Sequence, residues 1–342
     1  MQNILKKANE QFENQLPFVL FANPNADKLH AYFQKDTVLT TFEGQDGFVF
    51  TSFNQVQSYV LEKTNCALIS ETISAFLNAS YENQILEINT TEKKSFETLV
   101  KKSVNAILNQ QFQKVVVSRK VTLPVDISHE SSFLKLLATY PTAFRYWFYH
   151  PKIGMWMGAS PEQLVCIENG EVETVALAGT QLYSEAIQWE TKEKEEQQFV
   201  TDYIVNQIAP FVKEMTISEP FTVKAGSLAH IKTTIKAILL TPDSAMEIVS
   251  LLHPTSAICG LPKAPSLDFI LTNEGYDRRF YSGYLGEWQV SKKNLFVNLR
   301  CMEIERGSTH LYVGCGITKD SIPEKEFFET QNKLGTMLKV IK

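Results

Sequence analysis

Short apolar segments that end at turn residues recur in both halves of this chain, and they constrain its fold more than any other feature. Lys114–Leu123 is rich in β-branched residues, which favour strands. Residues 163–177 are predicted to form a hairpin, because Asn169 and Gly170 supply the positive φ angles of a two-residue turn. The first 90 residues alternate apolar runs with turn residues, which indicates antiparallel strands. Further strands are predicted at 145–150, 155–159, 284–290, 295–304 and 310–317.

Apolar residues at helical spacing predict three long helices. They cover residues 96–112, residues 187 to about 209, where Pro210 should end or kink the helix, and about 323–341. The last helix should begin after Asp320 or Ser321 as its cap, with a proline in its first turn. Strand-rich halves with a few long helices favour the α+β class over regular βαβ winding.

Composition excludes several classes of partner. The 342 residues carry a net charge of -5 and no long basic run, so neither nucleic acid nor an anionic membrane is an expected partner. No run of 18 apolar residues indicates a membrane helix, and the N-terminus lacks the layout of a signal peptide. The five cysteines are scattered and include no C-x-x-C pair, which fits neither a disulfide framework nor a zinc site. We therefore expect a cytoplasmic protein.

Glutamates stand where two of the predicted helices should be buried. Glu193 and Glu196 fall on the apolar stripe of the second helix, and Glu326, Glu329 and Lys333 share one face of the last helix. Buried carboxylates are costly unless a cation or hydrogen bonds compensate them. Mg²⁺ prefers a few carboxylate oxygens together with water and an anionic substrate. A magnesium site and an ordinary solvated helix face both remain open on this pattern, because the segment around Glu196 is rich in charge.

Other polar residues are ambiguous when each is taken alone. Lys114 opens an apolar strand, and Arg300 lies within an apolar run where a buried guanidinium would need an anion. Gly316 ends a strand in a Gly-Cys-Gly sequence, which marks either a bulge or a close approach to the backbone. His230 could be a core histidine, and Ala176–Thr180 is a turn of small residues. These residues indicate at most a magnesium site for an anionic small molecule.

Nine segments, taken in order, resemble the chorismate-utilising enzymes, which include isochorismate, salicylate, anthranilate and aminodeoxychorismate synthases. The resemblance covers about residues 95–342 and is loose over the first 90. It implies a single α+β domain over residues 1–342, with two antiparallel sheets, helices packed between them and a site in a cleft. The matching segments are KVVVSR (114–119), GASPE (158–162), LAGT (177–180), LLHPT (251–255), YDR (276–278), GYLG (283–286), LRC (299–301), GCGI (314–317) and ETQNK (329–333).

Two positions within these segments bear on the reaction. Isochorismate and salicylate synthases carry lysine at the position of Lys114, whereas anthranilate synthases carry glutamine, because water needs a base and ammonia does not. Ala178 stands where aminodeoxychorismate synthases carry a nucleophilic lysine. The resemblance therefore implies an isochorismate synthase, which converts chorismate reversibly to isochorismate for menaquinone or siderophore biosynthesis. Salicylate synthase, which also eliminates pyruvate, is the alternative, and the amine-transferring synthases fit less well.

The resemblance also implies a role for each matching residue. Lys114 would be the base that activates water, and Glu162 the acid that protonates the departing C4 hydroxyl. Mg²⁺ would be held by Glu196 and Glu329, with Glu193 and Glu326 supporting it through water. The substrate would be bound by His230, Ala178, Gly179, Thr180, Arg300, Gly316 and Lys333.

The expected partner is the substrate chorismate, without a glutaminase subunit, and the expected state is a monomer. Three departures from the family pattern accompany these roles. Cys315 replaces a commoner alanine, Gln197 and Gln198 stand where many relatives have a histidine and another polar residue, and the tract that binds tryptophan in regulated anthranilate synthases is missing.

Overall fold

A computed structural model describes residues 1–73, 86–225 and 228–341. The side chains of Thr180, Leu182, Lys192, Lys224, Ala225 and Leu228 lie outside this description. The helices within the described residues are α1 (Gln2–Glu13), α2 (Thr90–Leu108), α3 (His129–Thr139), α4 (Thr191–Ile208), α5 (Ser244–Leu252), α6 (Lys263–Asn273) and α7 (Pro323–Ile341). None of them is long and apolar enough to cross a membrane.

The strands of the described residues are β1 (Phe18–Ala22), β2 (Lys28–Gln34), β3 (Thr40–Thr41), β4 (Gly47–Thr51), β5 (Ser58–Glu62), β6 (Cys66–Thr72), β7 (Lys114–Leu123), β8 (Phe144–His150), β9 (Gly154–Ser160), β10 (Gln163–Glu168), β11 (Glu171–Leu182), β12 (Val212–Ile217), β13 (Phe221–Ala225), β14 (Leu228–Leu239), β15 (Gly260–Leu261), β16 (Tyr284–Trp288), β17 (Lys292–Val297), β18 (Cys301–Glu305) and β19 (Ser308–Ile317).

These strands form two antiparallel sheets. The first sheet has the order β15-β7-β19-β18-β9-β8-β1-β2-β6. The second has the order β12-β14-β11-β10-β17-β16-β4-β5-β3, with β13 also paired to β14. The early strands are divided between them, since β1, β2 and β6 join the first sheet and β3, β4 and β5 join the second. The predicted α+β class with two antiparallel sheets is confirmed.

Aromatic side chains join the two sheets directly. Phe144 of β8 stacks on Phe296 of β17 with 4.3 Å between ring centroids, and Phe50 of β4 lies 4.5 Å from Phe148 of β8. The opposite face of the first sheet is covered by α1, α3 and the C-terminal part of α7, while α4 packs on β11 and α5 on β10. Elsewhere α2, α4 and α5 share one hydrophobic core with strands of both sheets, so the sheets meet directly through these rings at one region and pack against helices at another.

Most predicted elements are present, but one predicted strand is wrong. Residues 295–304 do not form a single strand: β17 ends at Val297 in the second sheet, and β18 begins at Cys301 in the first. The chain crosses between the sheets at this point, and Arg300 takes a left-handed φ of 47° there. Helix α1 was not predicted, and α4 begins four residues after the predicted position 187, at Thr191. Periodicity along the sequence does not reveal a crossing in which both flanking segments remain apolar.

Candidate active site

Lys114 begins β7 and is held there by backbone pairing with Leu261 of β15. Its Nζ atom lies 3.3 Å from Oε1 of Glu196 on α4. Ser266 also donates a hydrogen bond to the Lys114 carbonyl at 3.0 Å. A Cβ atom at Gly316 of β19 would lie 3.2 Å from Lys114 Cε. The Gly-Cys-Gly sequence therefore gives the lysine side chain room beside the backbone.

Glu162 follows β9 and carries a carboxyl group that can hold a proton near neutral pH. Burial raises the pKa of Glu162 to about 7, whereas a hydrogen bond from Thr255 and the charge of Lys114 lower it. Thr255 Oγ1 donates to Glu162 Oε1 at 3.4 Å. An adjoining cavity has a mainly apolar lining that includes Leu164 and Val200, which explains the desolvation. Lys114 is thus close enough for its charge to act on the carboxyl group of Glu162.

The N-terminal part of α4 packs closely on β11. Gly179 has a φ of 67°, and a Cβ atom there would lie 3.3 Å from Glu193 Cβ, so both the backbone angle and the space favour glycine. Glu193 accepts a hydrogen bond from Gln181 at 3.3 Å through Oε1. Its Oε2 atom is buried and has no hydrogen-bond partner among the described residues. A buried carboxylate oxygen without a partner is costly and is a candidate ligand for a cation.

Helix α7 carries the second pair of glutamates. Lys333 Nζ lies 2.6 Å from Glu329 Oε1 and donates to the Gly314 carbonyl at 2.9 Å. Burial raises the pKa of the Glu326 carboxyl, and the charge of Glu329 raises it further. A bound cation would relieve this unfavourable effect of the Glu329 charge on the ionisation of Glu326.

The donor chemistry of the four glutamates fits a hard divalent cation. All are oxygen donors, and they include the unpartnered oxygen of Glu193. Among the described residues, no three acidic, histidine or cysteine side chains lie close enough together to hold a metal ion. Glu196 and Glu329 contact Lys114 and Lys333 instead. Magnesium binding therefore stays a prediction.

Arg300 and Lys333 line a cavity together with Tyr281 and Gly314. Burial lowers the pKa of the Arg300 guanidinium from its usual value, but arginine remains charged because its usual value is so high. Two cationic groups on one cavity suit a substrate that carries carboxylates. Sequence reasoning assigned no role to Tyr281, although the matching segment at 283–286 lies two residues away.

The remaining predicted substrate-binding residues lie near α4. His230 of β14 places Nδ1 3.0 Å from the Gly179 carbonyl, and Ala178 is buried and paired with Ile231 of the same strand. The side chain of Thr180 lies outside the described residues. The structure thus places His230 beside the backbone of Gly179, and its role in substrate binding stays a prediction.

A protonatable carboxyl group, a nearby lysine and two cationic side chains that line one cavity are features that suit a site for a small anionic molecule. The chain belongs to the chorismate binding enzyme family, whose sequence profile matches residues 48–342. The predicted family is confirmed.

Similar proteins include isochorismate synthases. The salicylate biosynthesis isochorismate synthase of Pseudomonas aeruginosa is 30% identical over 264 residues, which cover 73% of this chain and 55% of that protein. The isochorismate synthase EntC of Escherichia coli is 28% identical over 299 residues, covering 83% of this chain and 75% of that protein. The solved structure of the menaquinone-specific isochorismate synthase of Escherichia coli superposes with a TM-score of 0.80 at 18% identity, covering 95% of this chain and 89% of that one. The chain thus spans little more than half of the Pseudomonas protein, and the likeness to the solved structure concerns the fold.

Proposed function

We propose that this protein is an isochorismate synthase that interconverts chorismate and isochorismate. The observation that carries the proposal is the closeness of Lys114 to the protonatable carboxyl group of Glu162. A lysine begins β7, near enough for its charge to act on a carboxyl group whose pKa is about 7. Water addition to a ring needs a base for the water and an acid for the leaving hydroxyl. The names of the similar proteins support the same activity.

The reaction exchanges one hydroxyl group for another. Lys114 removes a proton from water as the water oxygen bonds to C2 of the ring. The ring double bonds then shift, and the bond from C4 to its hydroxyl breaks. Glu162 gives its proton to that hydroxyl, which leaves as water, so one water is consumed and one is released. The same groups serve the reverse direction with their roles exchanged, and the reaction is therefore reversible.

The other site residues bind and orient the substrate. Arg300 and Lys333 would hold its carboxylates, with backbone groups of Gly179 and Gly316 beside the ring. Glu196 and Glu329, supported by Glu193 and Glu326, would hold Mg²⁺, which when bound neutralises a substrate carboxylate. We further propose that the enzyme needs no glutaminase subunit and works as a monomer, and that its product serves menaquinone or siderophore biosynthesis.

Proton NMR of the protein with chorismate and Mg²⁺, without an ammonia source, tests the proposal. We expect isochorismate to accumulate to an equilibrium mixture with chorismate and to be absent with EDTA. If salicylate and pyruvate form, the acid–base chemistry proposed for Lys114 and Glu162 still holds, but the protein is a salicylate synthase. Chorismate that stays unchanged under these conditions would contradict the proposal.

A further inference from the structure

Glu274 and Arg278 form a buried ion pair that the proposed reaction does not use. Their side chains are 1% and 2% exposed, and Arg278 Nε donates to Glu274 Oε2 at 2.8 Å. Burying two charges costs so much solvation that such a pair is weak evidence for stability alone. The backbone groups that the pair contacts indicate a different purpose.

The ion pair completes the edge of β7 where its neighbouring strand ends. β15 pairs with β7 only at Lys114 and Val115. Farther along, the Ser118 amide donates to Glu274 Oε1 at 2.7 Å, and Arg278 Nη2 donates to the Val116 carbonyl at 2.7 Å. Two side chains thus satisfy backbone groups as an adjacent strand would.

The same guanidinium also holds the loop that contacts the proposed acid. Arg278 Nη1 donates to the Ile258 carbonyl at 2.9 Å. The amides of Ile258 and Cys259 both donate to the Thr255 carbonyl, at 3.2 and 3.0 Å. Thr255 in turn donates through its hydroxyl to Glu162. One arginine therefore joins this loop to the strand that begins with the proposed base.

We propose that Glu274 and Arg278 are positioning residues, which set Glu162 relative to Lys114 by fixing the Thr255 loop on β7. This inference rests on the proposed function. Acid–base catalysis depends steeply on geometry, and a displacement of about 1 Å can cost on the order of a hundredfold in rate. Neither residue touches the cavity that Arg300 and Lys333 line, so both act through the loop.

A double-mutant cycle between Glu274→Gln and Thr255→Val tests the proposal. Glutamine keeps the size of Glu274 and an oxygen for the Ser118 amide, but it removes the charge that orients Arg278. We expect each single variant to lower the maximal kcat of its pH profile by about tenfold or more. The maximal kcat of the double variant should be only slightly below that of the less active single variant, because both changes break the same connection. If Glu274→Gln does not fold, Arg278→Lys, which cannot reach both carbonyls, replaces it in the cycle.

The controls separate positioning from general destabilisation. Arg145→Lys alters another buried arginine, which donates to the carbonyls of Ala143 and Asn23, and it should leave kcat within about twofold. A wild-type kcat in Glu274→Gln, or losses that multiply in the double variant, would overturn the inference.

Amide hydrogen exchange gives a readout that does not depend on turnover. Glu274→Gln should accelerate exchange at Ile258 and Cys259, and unchanged exchange there would also overturn the inference. A wild-type protein that does not convert chorismate would instead refute the proposed function, and the exchange result would still decide whether the pair holds the loop.

Discussion

The protonation state of Glu162 decides at the scale of one residue whether the proposed forward reaction can proceed. Only the protonated carboxyl can give a proton to the leaving hydroxyl, and burial raises its pKa to about 7. We therefore expect kcat/KM for chorismate to fall as the pH rises through about 7. Thr255→Val should shift this fall in kcat/KM to higher pH, because the hydrogen bond from Thr255 lowers the pKa of Glu162. The pH profiles of the wild type and the variant measure this shift. A fall in kcat/KM at the same pH in both proteins would contradict Glu162 as the acid.

Replacing the carboxyl group of Glu162 by an amide should impair catalysis but leave chorismate binding intact. Glu162→Gln keeps the shape of the side chain but cannot act as an acid, and we expect a loss of about 10²–10⁴-fold in kcat. Chorismate affinity, measured by isothermal titration calorimetry, should stay within a few-fold of the wild type. Glu168→Gln, at an exposed glutamate of the next strand, is the matched control and should be fully active. Substantial turnover by Glu162→Gln would require another acid.

Replacement by alanine should have opposite effects at two glycines near the C-terminus: it should lower activity at Gly316 and raise stability at Gly335. In Gly316→Ala the new methyl group would crowd Lys114 Cε at 3.2 Å, so we expect kcat to fall by roughly tenfold with little change in stability. No described atom lies within 4 Å of a Cβ atom built at Gly335 in α7. Gly335→Ala should therefore raise the free energy of unfolding by about 0.5–1 kcal/mol without loss of activity. Thermal unfolding and kinetics on both variants test this contrast.

At the scale of single elements, local sequence patterns predicted the parts of the site better than their assembly. The bounds of β7 and α7 agree with the prediction, because β-branched residues and helical periodicity are local signals. The crossing of the chain between the two sheets at Arg300 was not predicted, because one residue with a left-handed φ between two apolar runs does not change the hydrophobic pattern. The contact between Thr255 and Glu162 joins residues 93 positions apart, and no local pattern encodes it.

The glutamates of helix α7 allow a prediction about metal binding by a single element. Glu329→Gln should remove both measurable Mg²⁺ binding and Mg²⁺-dependent activity, because an amide is a much weaker ligand for a hard cation than a carboxylate. Calorimetric titration with MgCl₂ gives the binding directly, without turnover. Glu324→Gln changes a more exposed glutamate of the same helix, which pairs with Lys93, and should bind Mg²⁺ as the wild type does. Undiminished binding by Glu329→Gln would remove this residue from the metal site.

At the scale of the whole molecule, early strands are built into the sheets that carry the site. Strand β4 pairs with β16 of the second sheet. Its Phe50 stacks on Phe280 with 4.2 Å between ring centroids and contacts Phe148 of the first sheet. Phe280 is two residues from Arg278, in the segment that leads to Tyr281. The N-terminal strands therefore support the segment around Arg278 and Tyr281 through a few buried rings.

Phe50→Ala should consequently destabilise the whole chain and not only its N-terminal part. Removing a fully buried phenylalanine costs about 3–5 kcal/mol, and the loss should appear as a lower midpoint of one cooperative unfolding transition. Val290→Ala, at a side chain that is 83% exposed, should change the free energy of unfolding by less than about 0.5 kcal/mol. Urea unfolding followed by both tryptophan fluorescence and far-UV circular dichroism distinguishes the outcomes. Two separate transitions in Phe50→Ala, one of them at the wild-type midpoint, would show that the early strands unfold independently of the proposed site.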